Sequence, residues 1–221
     1  LAKASIKMGA GVGLIATLLA AMTGDSSAYQ VAQVQPMKLA AMEALYNGGK
    51  GESLTAIAAV HPFKQPDYES EQEPAMRIAI PNMLSFLATR TADGYVPGVN
   101  DIIKGYTKED GTREPSVQEK IVRGKKAIVA LKTYRETKAQ DQLPILRENM
   151  KYFGYGYIKD ARELVPSIPI CFYAFRLMVG VGCLLILFFA LSLFLVYKKE
   201  IAQYRWFLIS AIIMIPLAYI A

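Results

Sequence analysis

Long apolar runs alternate with one long polar stretch along the chain, and this pattern indicates the class of protein. The clearest run covers 169–197, where Arg176 is the only formal charge. About 20 apolar residues cross a bilayer as a helix, so this run predicts a transmembrane helix. The runs at 1–23 and 205–221 predict a second transmembrane helix and the start of a further one. The pattern therefore predicts an all-α class: a polytopic helical membrane protein, of which this chain is a fragment.

The polar stretch at 24–168 is predicted to be a large, mostly helical loop between the first two spans. Its helices are predicted from apolar residues at helical spacing and from proline and glycine positions. The predicted helices are 36–47, 75–90 with a start or kink at Pro81, Val117–Thr137 and Asp141–Phe153. Residues 48–74, rich in glycine, proline and acids, predict a loop, and Gly94–Gly98 predicts a turn.

The formal charge of +6 comes largely from residues near the ends of the spans, which argues against a nucleic-acid partner and for a membrane. The polar stretch itself has nearly equal numbers of basic and acidic residues. Short loops that face the cytoplasm are enriched in Lys and Arg. Lys3 and Lys7 lie near the start of the first span, and Lys198, Lys199 and Arg205 follow the main one. We therefore predict that the long loop lies outside the cytoplasm.

Several motifs have simple structural interpretations. Gly9 and Gly13 form a small-xxx-small pair that favours close helix packing, and no strand precedes them to support a dinucleotide loop. His61 is the only histidine, so it cannot build a bis-histidine or histidine-rich metal site, and a surface role is the simpler interpretation. Cys171 and Cys183 are far apart along one span, and we expect no disulfide between them.

Two residues in the main span are candidates for chemistry. A charge within a span costs a few kcal/mol on insertion scales, so Arg176 is a functional candidate unless it snorkels to the outer interface. Met178 is of a type that usually serves packing, but a thioether is also a known axial ligand of haem iron. On a regular helix the two side chains are about 200° apart.

A second cluster follows the first span and includes Tyr29, Gln35, Lys38 and Glu43. The simpler interpretation is an aromatic turn and an amphipathic helix, with Lys38 and Glu43 as solvated surface charges. On a regular helix these two charges are about 140° apart, which is not the geometry of a salt-bridge pair.

Together these residues resemble subunit I of cytochrome bd-type ubiquinol oxidases. The segment Asp25–Tyr29, with Gln35 and Lys38–Glu43, is similar to the start of that family's quinol-binding loop. The run Tyr173–Met178 is similar to the helix that supplies a methionine ligand to the low-spin haem b. Further family landmarks match in the same order: Ala88-Thr89-Arg90 and Gly154-Tyr155-Gly156.

The resemblance implies that quinol is oxidised at the outer membrane face, with release of two electrons and two protons. It implies that Glu43 accepts a proton and that Lys38 donates a hydrogen bond to a quinone oxygen. Lys38 and Glu43 would therefore each be a catalytic residue and a quinol-binding residue. Tyr29, Gln35 and Arg90 match other quinol-binding positions. In the main span, Met178 would be an axial ligand of the low-spin haem b iron, and Arg176 would stabilise nearby haem charge.

The resemblance also implies cofactors and partners beyond this chain. A high-spin haem b and a haem d elsewhere in the complex would reduce oxygen to water. The protein would be a multi-pass component of the bacterial inner membrane, with lipid, the remainder of the same subunit and a second oxidase subunit as partners. Because the other haem ligands fall outside this chain in the family, we expect the fragment alone to be inactive.

Two other interpretations remain open from the residues. The first is a membrane receptor with two spans around an extracytoplasmic ligand-binding domain. The second is a structural or assembly subunit, in which Lys38, Glu43 and Met178 are ordinary surface and packing residues.

Overall fold

The structure is a computed structural model that describes residues 2–60, 76–138, 140–198 and 201–220. Its helices are α1 (Ala2–Val34), α2 (Pro36–Glu43), α3 (Met83–Thr89), α4 (Val99–Lys104), α5 (Val117–Thr137), α6 (Gln142–Asn149), α7 (Ile168–Tyr197) and α8 (Arg205–Ile220). Short 3₁₀ helices occur at Met150–Tyr157, Ala161–Leu164 and Ile201–Gln203. The strands are β1 (Gly49–Lys50), β2 (Leu54–Ala58), β3 (Arg77–Ile80), β4 (Tyr95–Val96), β5 (Tyr106–Thr107) and β6 (Arg113–Glu114).

Contacts divide the chain into two compact units, and each is described by itself. The first unit contains the chain up to Gln30 and from Phe172 onward, and the second unit is Val31–Cys171. Helices α1 and α7 are long and apolar enough to cross a membrane. These two helices and the mainly helical content confirm the predicted class of helical membrane protein. Helix α1 continues past Thr23, the predicted end of its span, to Val34.

The helices of the first unit leave many apolar side chains uncovered. Met8, Ile15, Leu187 and Ile212 are all more than half exposed. Water-soluble proteins rarely expose contiguous apolar surface of this kind to water. In a membrane, lipid tails or neighbouring helices cover such a surface, so no apolar side chain is exposed to water. The surface of the first unit is therefore typical of transmembrane helices.

Aromatic rings contribute to the internal contacts of the first unit, together with the buried Val196 and Ile201. The rings of Phe188 and Phe207 stack, with centroids 5.0 Å apart and planes at 15°. Gly13 of α1 faces the ring of Phe189 so closely that a methyl group there would overlap it. Gly9 has open space beside it, so only Gly13 of the predicted small-xxx-small pair packs closely within the chain.

The core of the second unit joins α2, α3 and β4. Its buried apolar members are Leu39, Leu45, Leu84, Ala88 and Val96. Burial of side chains of this size contributes roughly 1.5–3 kcal/mol each for the leucines and valine. This core fixes α2, which carries two of the predicted site residues.

Helix α2 ends at Glu43 rather than at the predicted Asn47. Ala44 adopts a left-handed conformation with φ of 50°. The amides of Ala44 and Leu45 then turn back and donate to the carbonyls of Ala41 and Ala40, at 3.3 and 2.9 Å. This pattern is a Schellman C-cap, in which glycine is the usual left-handed residue. With alanine at this position, nothing in the sequence marked the end of the helix.

The predicted loop at 48–74 and the predicted helix at 75–90 were partly wrong, because both contain strands. Strand β2 pairs antiparallel with β3, and β1 pairs antiparallel with β4, which occupies the predicted turn. Helix α3 begins only at Met83, after Pro81. Pairing partners lie far apart in the sequence, so local periodicity did not detect these strands. His61 lies outside the described residues.

Helix α5 confirms the prediction for Val117–Thr137. Ser116 caps its N-terminus, where the Ser116 Oγ accepts a hydrogen bond from the Glu119 amide at 3.1 Å. The predicted helix Asp141–Phe153 is shorter, because α6 ends at Asn149 and a 3₁₀ helix follows.

Candidate functional site

Helix α2 carries the two charged residues of the predicted quinol site. Gln35 immediately precedes α2, and its carbonyl accepts a hydrogen bond from the Lys38 amide at 2.9 Å. The Lys38 side chain is exposed, whereas Glu43 is only 4% exposed. The two charges thus differ in environment, as their offset around the helix predicts. Lys38 is accessible to a ligand from solvent, and the Glu43 carboxyl is shielded from water.

Glu43 shares the buried side of α2 with apolar residues. Leu39, Ala40 and Ala41 are buried with it. A carboxyl group in such surroundings is costly unless it has polar partners or a special role. Glu43 does have an interaction within the protein, so it is an integrated part of the fold rather than a surface charge.

The other predicted quinol-binding residues lie on separate elements. Arg90 is exposed and follows α3 in a left-handed conformation, where its amide donates to the Phe86 carbonyl at 2.9 Å. Gln35, Lys38, Glu43 and Arg90 belong to the second unit. Tyr29 lies on α1 in the first unit and is partly exposed.

A cleft of about 250 Å³ opens in the second unit beside α2. It is lined by Ala32, Gln33, Pro36, Leu39, Ala88, Thr89, Tyr95, Val96, Pro97, Tyr106, Lys108, Glu109 and Asp110. Lys38, Glu43 and Arg90 are not among these residues. The cleft and the predicted quinol-binding side chains are therefore different features of the unit.

Two tyrosines of this cleft stay protonated at neutral pH. The rings of Tyr95 and Tyr106 have centroids 6.0 Å apart. Burial, and then the charge and hydrogen bond of Asp101, raise the pKa of Tyr95 to about 12. Burial also raises the pKa of Tyr106. The hydroxyl of Tyr95 is therefore available as a donor to the Asp101 carboxylate.

Sequence reasoning missed the residues that fix the turn after α2. The Asn100 side-chain amide donates to Asn47, and the Asp101 carboxylate accepts from the Gly48 amide. A local signal existed only for the start of α4, because Gly98 and Asp101 have the spacing of an N-cap residue and the third helical residue. The Asp101 carboxylate indeed accepts a hydrogen bond from the Gly98 amide at 2.9 Å.

In the main span, Arg176 packs against aromatic rings, whereas the Met178 side chain is partly exposed. The Arg176 guanidinium lies 4.4 Å from the centroid of the Phe172 ring and 5.3 Å from that of Phe175. Contacts of this type are attractive, because the ring face is negative. Met178 is 45% exposed, so its thioether is not part of a packed core within the chain. An exposed thioether suits one axial position of haem iron, whereas the Arg176 guanidinium, about 200° away around a regular helix, lies against two aromatic rings.

Clusters of metal-ligating side chains are absent from the described ranges. No group of three or more His, Cys, Asp or Glu residues capable of holding a metal ion occurs among them. Cys171 and Cys183 are free thiols, as expected from their spacing. The assignment of Met178 as a ligand of haem iron stays a prediction.

The long apolar helices α1 and α7, which precede and follow the polar segment along the chain, are those of a helical membrane protein. The chain belongs to the cytochrome bd terminal oxidase subunit I family, whose model matches residues 1–221. It is 32% identical to the "Cytochrome bd-II ubiquinol oxidase subunit 1" of Escherichia coli (strain K12) over 224 residues, covering 98% of this chain and 42% of the relative. It is 27% identical to the "Cytochrome bd ubiquinol oxidase subunit 1" of Bacillus subtilis (strain 168) over 220 residues, covering 99% of this chain and 35% of the relative.

Family membership confirms the resemblance found in the sequence and favours an oxidase over a receptor. The chain spans about two fifths of the length of these relatives, which agrees with the predicted fragment. The roles assigned to individual residues remain predictions: Tyr29, Gln35, Lys38, Glu43, Arg90, Arg176 and Met178.

Proposed function

We propose that this chain is the electron-entry part of a respiratory quinol:oxygen oxidoreductase, in which it binds and oxidises quinol. The observation that carries the proposal is the pair of environments on α2. An exposed ammonium at Lys38 and a shielded carboxyl at Glu43 lie five positions apart, in a chain of the cytochrome bd family. This pair combines a ligand-binding charge with a proton acceptor.

The chemistry divides between these two side chains. Each quinol loses two protons and two electrons when it becomes quinone. The Lys38 ammonium has three donors and no acceptor, so it suits binding and polarising a quinol oxygen. The Glu43 carboxylate accepts a proton from a quinol hydroxyl, as a general base within hydrogen-bond reach. Gln35 and Tyr29 contribute neutral hydrogen bonds, and Arg90 contributes a second positive charge.

Met178 would hold a low-spin haem b through its thioether, Arg176 would balance the negative charge of its propionates, and the bound group would supply the acceptor for the electrons of quinol. A thioether ligand raises the reduction potential of haem iron, which favours electron transfer from quinol. The exposed thioether of Met178 and the guanidinium held against Phe172 are the features that support this assignment.

The remainder of the reaction belongs to the larger assembly. We propose that oxygen is reduced to water at a high-spin haem b and a haem d elsewhere in the complex. The parent subunit would be a multi-pass protein of the bacterial inner membrane, with a second oxidase subunit as partner. The loop 24–168 would lie on the extracytoplasmic side, which places proton release from quinol outside the cytoplasm.

The proposal is tested by Glu43→Gln in the full-length, membrane-embedded oxidase. General-base catalysis contributes about 10²–10⁴-fold to a rate, so we expect quinol oxidation to slow by at least about 100-fold. Glu136→Gln, at an exposed position on α5, makes the same change of charge and serves as the control. Oxygen consumption with an artificial donor that reduces the haems directly should be unchanged in both variants. Normal quinol oxidation by Glu43→Gln would favour a structural role for this residue.

A further inference from the structure

The turn that follows Glu43 is bound by the first residues of α4. The Leu45 carbonyl accepts from the Val99 amide, and the Tyr46 carbonyl accepts from the Asn100 amide, both at 2.9 Å. These two bonds use amides at the start of α4 that have no partner within the helix. They attach the turn after α2 to α4 through the backbone.

Two side chains of α4 complete this attachment. The Asn100 side-chain amide donates to the Asn47 Oδ1 at 2.8 Å. The Asp101 Oδ2 accepts from the Gly48 amide at 2.6 Å and from the Gly98 amide at 2.9 Å. Every residue from Leu45 to Gly48 therefore has one hydrogen bond to α4 or to its cap. The bonds to the Asp101 carboxylate are the stronger ones among these, because their acceptor is charged.

The backbones at this attachment are in close contact. A methyl group on Gly48 would meet the Val96 carbonyl and the Gly98 amide, and a methyl group on Gly98 would meet the backbone of Asn47. Glycine allows this approach because it has no Cβ. The turn after α2 is thus fixed by both shape and hydrogen bonds, and it has little freedom to shift while α4 holds it.

The position of Glu43 depends on this turn. Ala44, the next residue, has a φ of 50°, and a left-handed conformation of this kind costs an L-residue energy that glycine avoids. If the turn were released, Ala44 would relax to an ordinary conformation, and the C-cap that ends α2 would open. The last turn of α2, which carries Glu43, would then lose its fixed geometry.

We propose that Asn100 and Asp101 are positioning residues of the quinol site, which hold Glu43 in place through the turn at Leu45–Gly48. This inference rests on the proposed role of Glu43 as proton acceptor. Asp101 is the stronger of the two, because its carboxylate accepts hydrogen bonds from two backbone amides, those of Gly48 and Gly98. Neither residue needs to touch quinol for this role.

The test uses Asp101→Asn in the full-length oxidase, with Asp93→Asn as the matched control at an exposed turn position. Misplacement of a reacting group by about 1 Å costs up to about 100-fold in rate, so we expect kcat with quinol to fall about tenfold. The KM for quinol should change less than about twofold, because Lys38 lies outside the attached turn. The haem spectrum should be unchanged. Asp93→Asn should behave like the wild type.

Two double variants separate positioning from general loss of stability. In a Glu43→Gln background, Asp101→Asn should cause no further loss, because residues that act through one another are not additive. In the Asp101→Asn background, Ala44→Gly should restore most of the rate, because glycine adopts the left-handed conformation without strain. Additive losses and no rescue would mean that Asp101 has only a structural role.

A further variant covers the case in which Asp101→Asn does not assemble. Asn100→Ala removes one side-chain hydrogen bond and keeps both backbone bonds, and we expect kcat to fall about threefold to tenfold. If Glu43→Gln is impaired while both α4 variants match the control, the positioning role is wrong and the proposed function stands. If Glu43→Gln oxidises quinol normally, the proposed function and the positioning role both fail.

Discussion

At the scale of single residues, Met178 gives the most direct test of the haem assignment. Leucine has a similar size but no sulfur, so Met178→Leu removes the proposed ligand while keeping the apolar surface. We expect the optical redox spectrum of the full-length complex to lose its low-spin haem b band, with loss of quinol oxidation. Met8→Leu, at another exposed methionine on a membrane helix, should leave the spectrum unchanged. An unchanged spectrum for Met178→Leu would make Met178 a packing residue.

Glu114 is a second residue with a defined electrostatic role. Its Oε1 lies 2.9 Å from the Lys108 Nζ, and its Oε2 lies 3.3 Å from the Nζ of the buried Lys120. Burial raises the pKa of Glu114, but the hydrogen bond from Lys108 and the charges of both lysines outweigh it, so the pKa is lowered from its usual 4.5. The carboxylate therefore stabilises the fold above pH 4.5, and this stability is lost as the pH falls through the lowered pKa.

We predict that Glu114→Gln destabilises the β5–β6 pair by about 1–2 kcal/mol at pH 7, because it leaves Lys120 without its counter-charge. Hydrogen exchange of these amides in the intact protein should be about 5–30-fold faster than in the wild type at the same pH. The difference should shrink below the lowered pKa, where the wild-type carboxyl is itself protonated. Glu136→Gln should exchange like the wild type at every pH, and a pH-independent effect of Glu114→Gln would contradict the assignment.

The sequence was enough to propose the candidate site residues. It did not reveal the hydrogen bonds that hold the turn after α2. Lys38, Glu43 and Met178 were found because they match family motifs in order. The burial of Glu43 and the exposure of Lys38 agree with their offset of about 140° on a helix. Asn100 and Asp101 were missed because their partners, Asn47 and Gly48, lie 53 residues earlier in the chain. No local pattern reports a hydrogen bond over that distance.

At the scale of elements, local signals decided which predictions were correct. Helix α5 has apolar residues at helical spacing, so its bounds at Val117 and Thr137 were predicted correctly. Strands β2 and β3 gain their stability from each other, and their register contains a shift between Thr55 and Ile57. Such pairing depends on cross-strand contacts, which the sequence does not reveal. The same reason applies to the two-residue strands β1 and β4.

The packing of α5 against the 3₁₀ helix Met150–Tyr157 gives a prediction at this scale. A methyl group on Gly124 would overlap the backbone of Gly156 and the Tyr152 carbonyl. Overpacking of this kind costs about 1–3 kcal/mol. We expect Gly124→Ala to speed hydrogen exchange of the 3₁₀ helix about tenfold or more in the intact protein.

A matched control for this prediction lies in the same 3₁₀ helix. Gly154 has no atom within 4 Å of the position of a new methyl group, so Gly154→Ala should leave exchange unchanged or slightly slower. Equal effects of the two substitutions would show that loss of glycine flexibility, rather than the contact between α5 and the 3₁₀ helix, controls the stability of this region.

At the scale of the whole molecule, the charges at the span ends predict which side of the membrane each polar segment faces. Lys198 and Arg205 flank the short connection between α7 and α8, and a short basic connection favours the cytoplasm. The loop 24–168 must then lie on the opposite side if α7 crosses the bilayer once. Its own charges do not weigh against this arrangement, because long loops are translocated largely regardless of charge.

Single cysteines in a full-length variant from which all native cysteines, including Cys171 and Cys183, have been removed test this topology. Thr112 and Gln203 are both exposed, in the β5–β6 turn and in the α7–α8 connection. We expect Thr112→Cys to react with a membrane-impermeant thiol reagent added to cells whose outer membrane alone has been opened, because it lies outside the cytoplasm. Gln203→Cys should react only after the inner membrane is also permeabilised. The reverse pattern would place the quinol-binding residues on the cytoplasmic side, and protons from quinol would then be released where they could not add to the membrane potential.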